Sequence, residues 1–329
     1  MLRRTTLALS ALLGLWVLGP SITTSAQQPA KIYRVGMLLV GSPATSSYFP
    51  NMLRKELQDF GYIEGQNLVL DFRWAEGRSE RLPTLATELI ALKPDVIMTY
   101  TTDGALAAKQ ATATIPIVMM MVSDPVGSGL IATLPHPGGN ITGITDYGVD
   151  LTAKYVELIH AVAPKAVRLG ILMSDSPIHP PAIKGIEAAA KSIGLTVLPV
   201  MDRSNEELEE AFASLAKRDA GAVIVLGGAR QGAQRKRIAE LAEKFAMPTL
   251  APTRQYVEEG SLMSYGPDLP ASGKLGASYV DKILKGAKPG NMPVEQPPRF
   301  ELVINGKTAK ALGVTIPRSL LLRADEIIQ

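Results

Sequence analysis

The sequence predicts an α/β protein of two doubly wound parallel-sheet lobes joined by a hinge. Three observations predict it. Short apolar runs of strand character alternate with helical stripes along most of the chain. The alternation breaks once, at the Pro/Gly-rich stretch Leu134 to Gly143, and then restarts. After the second run come one helix and one strand, too few to bury a core of their own. They are expected to complete the two lobes already built, so the chain must cross between lobes again.

In the first run, Tyr33 to Val40 reads as a buried strand, and Phe49 to Phe60 as a helix with Met52, Leu53, Leu57 and Phe60 on one face. Asn67 to Trp74 is the second strand, and Leu82, Leu85, Leu89 and Ile90 form the second stripe. Asp95 to Met98 is the third strand, Ala105 to Ala113 the third helix and Ile115 to Val122 the fourth strand. Each strand is separated from the next by a helix, which demands parallel pairing. In the second run, the helix Leu151 to Val162 precedes strands at Val167 to Met173, Leu195 to Val200, Ala222 to Leu226 and Thr249 to Ala251. The helices between them are Ala182 to Ser192, a segment opened by a Ser204/Glu207 capping box, and Gln234 to Phe245. The tail holds a strand Ser261 to Tyr265, a stripe of Leu275, Tyr279, Val280, Ile283 and Leu284, a Pro-rich linker and a strand Phe300 to Ile304.

Arg3 and Arg4, the apolar run Leu7 to Leu18, and Thr24-Ser25-Ala26 before Gln27 predict a secretory signal peptide over residues 1–26. The apolar run is short for a membrane span. Cleavage near Ala26 gives a periplasmic chain of roughly 300 residues, enough for two ordinary domains. Removing Arg3 and Arg4 takes the formal charge from +3 to +1, which argues against a nucleic-acid partner. Cysteine is absent, so disulfides, thiol catalysis and a lipid anchor on cysteine are excluded.

The residues offer little catalysis. His136, His160 and His179 lack metal-ligand spacing, and no G-x-S-x-G elbow, Walker loop or dinucleotide turn occurs. The expectation is a non-enzyme without cofactor or metal. Small polar residues recur instead at strand ends, where open α/β sheets bind ligands. They are Ser42 and Ser46 after the first strand, Tyr100, Thr101 and Thr102 after the third, and Asp124 after the fourth. In the second run they are Ser174 with Asp175, Gly227 with Gly228, Thr253 with Arg254, and Tyr265. The stretch Ile97 to Gln110 is the sharpest. A helix starting near Asp103 leaves N–H groups for a carboxylate, unless Thr102 or Asp103 caps it. Asp124 is the candidate for a cationic group, and Tyr100, Tyr147 and Tyr265 for an apolar part.

The segments Phe60-Gly-Tyr-Ile-Glu-Gly-Gln-Asn, Asp124-Pro-Val-Gly-Ser-Gly-Leu, Pro137-Gly-Gly-Asn-Ile-Thr-Gly and Ser261-Leu-Met-Ser-Tyr-Gly-Pro-Asp-Leu resemble the substrate-binding components of a bacterial family of ABC transporters. These are the tryptophan-binding and related periplasmic proteins of the type I periplasmic-binding fold. The resemblance implies capture of a small solute between two lobes, and delivery to an inner-membrane permease and its ATPase by a monomer. It implies lobes of residues 32–145 with 267–292 and of 146–266 with 293–329. As ligand contacts it carries over Ser42, Thr101, Thr102, Asp124 and Tyr265, with Ser174 and Gly228. The chain departs from the family at Thr101-Thr102-Asp103, where a Gly-Thr-Pro-like stretch is usual, so the ligand does not transfer. Ligand sensing for a membrane receptor and a secreted enzyme using the same cleft are the alternatives.

Overall fold

β1 (Tyr33–Leu39) is apolar and buried over most of its length, the pattern of a strand covered by helices on both faces. The computed structural model in which it lies describes residues 31–145, 150–174, 179–203 and 205–329. The proposed signal peptide, Tyr147, Asp175 and Ser204 fall outside these residues. The strands β2 (Leu68–Trp74), β3 (Val96–Tyr100), β4 (Ile117–Val122) and β5 (Ile141–Thr145) join β1 in a parallel sheet of order β2-β1-β3-β4-β5. The second sheet holds β6 (Arg168–Met173), β7 (Thr196–Met201), β8 (Ala222–Val225), β9 (Thr249–Ala251), β10 (Met263–Pro267), β11 (Phe300–Asn305) and β12 (Glu326–Ile328). Its order is β12-β11-β10-β9-β8-β6-β7, antiparallel only between β10 and β11. The run β7-β6-β8-β9-β10 repeats the first sheet's order, so each lobe has one topological switch point, β1/β3 and β6/β8.

In chain order the helices are α1 (Pro43–Ser46), α2 (Tyr48–Asp59), α3 (Leu82–Ala91), α4 (Thr101–Ala111), α5 (Asp150–Val162), α6 (His179–Ser192) and α7 (Asn205–Lys217). They continue with α8 (Ala229–Ala233), α9 (Arg235–Lys244), α10 (Arg254–Glu258), α11 (Leu269–Leu284), α12 (Gly306–Ala311) and α13 (Arg318–Leu321). Each sheet is sandwiched by two apolar layers. In the first lobe, one layer joins α2 and α11 through Leu53, Leu57, Tyr279 and Val280, and the other joins α3 and α4 through Leu85, Leu89 and Ala108. In the second, α5 and α6 cover one face and α7 and α9 the other.

The chain leaves the first sheet after β5, and returns after β10 to lay α11 on it. Asp268 caps that helix by accepting the Ala271 N–H at 2.9 Å. A Cβ on Gly276 would stand 2.6 Å from Met120 Sδ and 3.0 Å from Met98 Cε, so glycine lets α11 lie on the sheet without displacing either methionine. Glu295 still bridges to Ile144 beside β5, and β11 then joins the second sheet.

Two expectations need correction. The stretch Leu134 to Gly143, read as the break between the two runs, leads into a fully buried fifth strand. Its Gly143 packs against the Met119 backbone at φ 138, and the Asn140 amide holds the Thr112 and Ile115 carbonyls. α4 begins at Thr101, four residues before the expected start, so Thr101 to Asp103 form its first turn. Among the described residues no helix is long and apolar enough to cross a membrane.

Candidate functional site

The carboxyl ends of both sheets face one cleft of about 1060 Å³. At the first switch point Thr99 Oγ1 donates to the Leu38 carbonyl at 3.2 Å and ties β3 to β1. The chain then turns sharply. Thr101 has φ 71, Met121 φ 54 and Asp124 φ 43, and all three line the cleft. Left-handed backbone costs a β-branched residue such as Thr101 roughly 1–3 kcal/mol, and such strain gathers at ligand sites.

The start of α4 carries no side-chain cap. Thr102 Oγ1 reaches instead to the Ser123 carbonyl, at 3.5 Å, and Asp103 accepts from Ser79 Oγ at 3.2 Å. The first turn of α4 thus lies on the cleft lining with no capping side chain as acceptor for its N–H groups. Beside them the Tyr100 hydroxyl and Thr101 Oγ1 are buried with no hydrogen-bond partner. Burial pushes the Tyr100 phenol well above its usual range, so it stays a neutral donor. Phe49 packs on the Tyr100 ring at 4.2 Å and shares the lining.

Of the sequence-predicted residues, Ser46, Tyr100, Thr101, Thr102, Asp124, Ser174 and Gly228 lie together on this cleft. Asp124 lines it differently from expectation. It is exposed, and its Oδ1 accepts the Gly127 N–H at 2.8 Å, so the carboxylate holds its own loop. Ser42 is beside the lining but not part of it, and its carbonyl accepts the Ser46 N–H. Tyr265 is away from the cleft. Its ring stacks on Phe300 at 5.8 Å and packs against the α5 side of the second sheet. Position along the strand explains this: Tyr265 lies in the middle of β10, and Pro267, at its carboxyl end, reaches the lining. Arg254 is engaged elsewhere, with Glu258, Glu301 and Glu326.

The second wall contains residues that the sequence reading passed over. His179 opens α6, is 3% exposed, and sets its two ring nitrogens 2.9 Å from the carbonyls of Ser174 and Gly227. It thereby pins the ends of β6 and β8 together at the second switch point. Gly228 lies where a Cβ would meet Gln231 Oε1 at 2.7 Å. Asp202, one residue past β7, lines the cleft and is 1% exposed. Gln231 Nε2 donates to it at 2.5 Å and Gln234 Nε2 at 3.4 Å. Burial pushes its carboxyl up to about 6, while the Gln231 bond and the Arg230 charge pull the other way. The strand-end rule that selected Thr101 selects Asp202 equally well when applied to β7. Among the described residues, no group of His, Asp or Glu side chains could hold a metal ion.

Comparison with known proteins agrees with this architecture. A family model described as ABC transporter substrate binding protein matches residues 43–328. A tyrosine-binding protein of Clostridioides difficile (strain R20291) is 30% identical over 265 residues, covering 79% of this chain and 75% of its own. Among solved structures, the ABC domain in complex with L-Trp from Streptococcus pneumonia has a TM-score of 0.83 at 27% identity, covering 91% of this chain and all of the other. A ligand-free, open substrate binding protein from Clostridium difficile has a TM-score of 0.65 at 25% identity, with 91% of this chain and all of the other covered. In this chain α1 of the first lobe lies beside α8 of the second across the cleft.

Proposed function

The chain belongs to the ABC transporter substrate binding protein family, and from that premise we propose that it is the periplasmic solute-binding component of a transporter. It captures an amino acid between its lobes and presents the closed form to a permease served by an ATPase. It acts as an exported monomer, by binding rather than turnover. The ligand's carboxylate lies at the start of α4, against the free N–H groups, Thr101 Oγ1 and the Tyr100 hydroxyl. The observation that carries this reading is Thr101, a β-branched residue held at φ 71 with its buried hydroxyl unpartnered. A fold maintains such strain and such an orphan where a ligand completes the site.

The side chain of the ligand lies on the Phe49–Tyr100 pair. That favours aromatic amino acids, in keeping with the tyrosine and L-Trp named for two relatives. A thermal-shift screen of the twenty amino acids and of compact carboxylates tests the reading. An aromatic amino acid should raise the melting temperature by mass action, adding about 2.7 kcal/mol of stability at a hundredfold excess over Kd. No shift with any amino acid would overturn the ligand class.

A further inference from the structure

We propose that Asp202 and Gln231 of the second lobe form the receptor for the ligand's ammonium group, so that a zwitterion spans the cleft and holds the two lobes together. This rests on the reading that the carboxylate lies at the start of α4. It moves the cationic contact from Asp124, which is exposed and committed to the Gly127 N–H, to a carboxylate on the opposite lobe.

The argument begins with an uncompensated charge. Asp202 is 1% exposed, and the side chains that donate to its carboxylate among the described residues are two neutral amides. No Lys, Arg or His among the described residues forms an ion pair with it. A buried carboxylate without a cation is costly, and a ligand cation is the partner that restores balance. The amide of Gln231 adds direction. Its Nε2 is committed to Asp202, which fixes the side-chain orientation, and its Oε1 is then left buried with no donor. An acceptor oxygen and a carboxylate side by side suit an ammonium, which offers several N–H donors. Gly228 is what keeps the approach open, since a side chain there would fill the space at Gln231 Oε1.

The neighbouring charges fit a zwitterion better than a plain amine. Arg230 on α8 lies near enough to act on Asp202, and its guanidinium makes no ion pair or hydrogen bond with a described residue. Glu207 on α7 also acts on Asp202, Arg203 and Arg235 line the same wall, and Tyr256 on α10 lies beside it. A lone cation entering here meets arginine repulsion, which a carboxylate on the same ligand partly offsets.

Titration calorimetry of L-tryptophan, L-tyrosine and L-phenylalanine against their deaminated acids, indole-3-propionate, 4-hydroxyphenylpropionate and 3-phenylpropionate, tests the assignment on wild type and Asp202→Asn. The amino acid that binds wild type should bind the variant at least about 30-fold more weakly, the loss typical of removing one member of a buried charge pair. Its deaminated acid should bind both proteins alike. Circular dichroism checks the variant's fold. On wild type, amino-acid affinity should also weaken as pH falls from 7 to 5, and that of the acid should not. Equal amino-acid affinity in the two proteins overturns the assignment and leaves Asp202 as a brace for Gln231 and Gln234. Acids that bind as tightly as amino acids overturn it as well, while keeping the carboxylate site. No binding of any of the six overturns both.

Discussion

On the first-lobe wall of the cleft, the unpaired polar groups are hydroxyls and helix-start amides, donors on a backbone that turns through left-handed conformations at Thr101, Met121 and Asp124. The second-lobe wall adds acceptors, Gln231 Oε1 with no donor and the Asp202 carboxylate, which takes only two neutral amides. None of the cleft-lining described residues of that lobe other than glycine has a positive φ; Asp219 and Ala246 do, but they follow the C-terminal ends of α7 and α9. Both walls come from the same strand order with a switch point at the same place. The fold therefore sets where a ligand lies, and single residues at strand ends set which end of it each lobe receives.

Ways to break this comparison run from large effects to small. Thr101→Val keeps the branched shape and removes the hydroxyl. Calorimetry should show amino-acid affinity falling about tenfold, the worth of one lost hydrogen bond of roughly 1–1.5 kcal/mol, with the melting temperature of the free protein unchanged or higher. Thr101→Gly should raise the stability of the free protein by about 1 kcal/mol in denaturant titration, because glycine adopts this φ without strain. A loss of stability would mean that Thr101 is not strained in solution.

The second wall makes its own prediction with pH. Asp202 is pushed up to about 6, above the usual aspartate value near 4. The folded protein thus binds this proton more tightly than the unfolded chain does. Its contribution to stability is greatest below about pH 4 and is lost as pH rises through about 6. Asp202→Asn should remove this component from a stability–pH curve of the free protein. A curve unchanged by the substitution would contradict the burial of an unpaired carboxylate.

Smaller effects are expected where the structure moved residues out of the role that the sequence suggested. Thr102→Val loses only a 3.5 Å contact to the Ser123 carbonyl and should cost less than about 1 kcal/mol in stability or affinity. Asp124→Asn keeps an oxygen for the Gly127 N–H and should leave affinity within about twofold, because exposed charges contribute little. Tyr265→Phe should leave binding unchanged in calorimetry. A large loss in either of the last two would return that residue to the site.

Much of this was legible in the sequence, and for definite reasons. Apolar runs such as Tyr33 to Val40 and the stripe Leu53, Leu57 report burial directly, since one face of each helix and both faces of each strand must leave water. β5 was hidden because its five residues carry a glycine and follow two prolines and two glycines, the signature of a loop. Thr101 and Gly228 were visible through the strand-end rule. Tyr265 was misplaced because β10 runs two residues past it, so the strand end that meets the cleft is Pro267. Arg230 and Gln231 could not be found that way, since the short helix α8 gives no periodicity, and Gln231's role depends on an amide orientation set by Asp202.

The central claim is that the start of α4 receives the carboxylate of an amino acid. Calorimetric titration of the wild-type protein with each aromatic amino acid and with its methyl ester tests it most directly. The ester keeps the ammonium and the ring and removes the negative charge. The account predicts that the amino acid that binds does so at least about 30-fold more tightly than its ester. Equal affinities would contradict it.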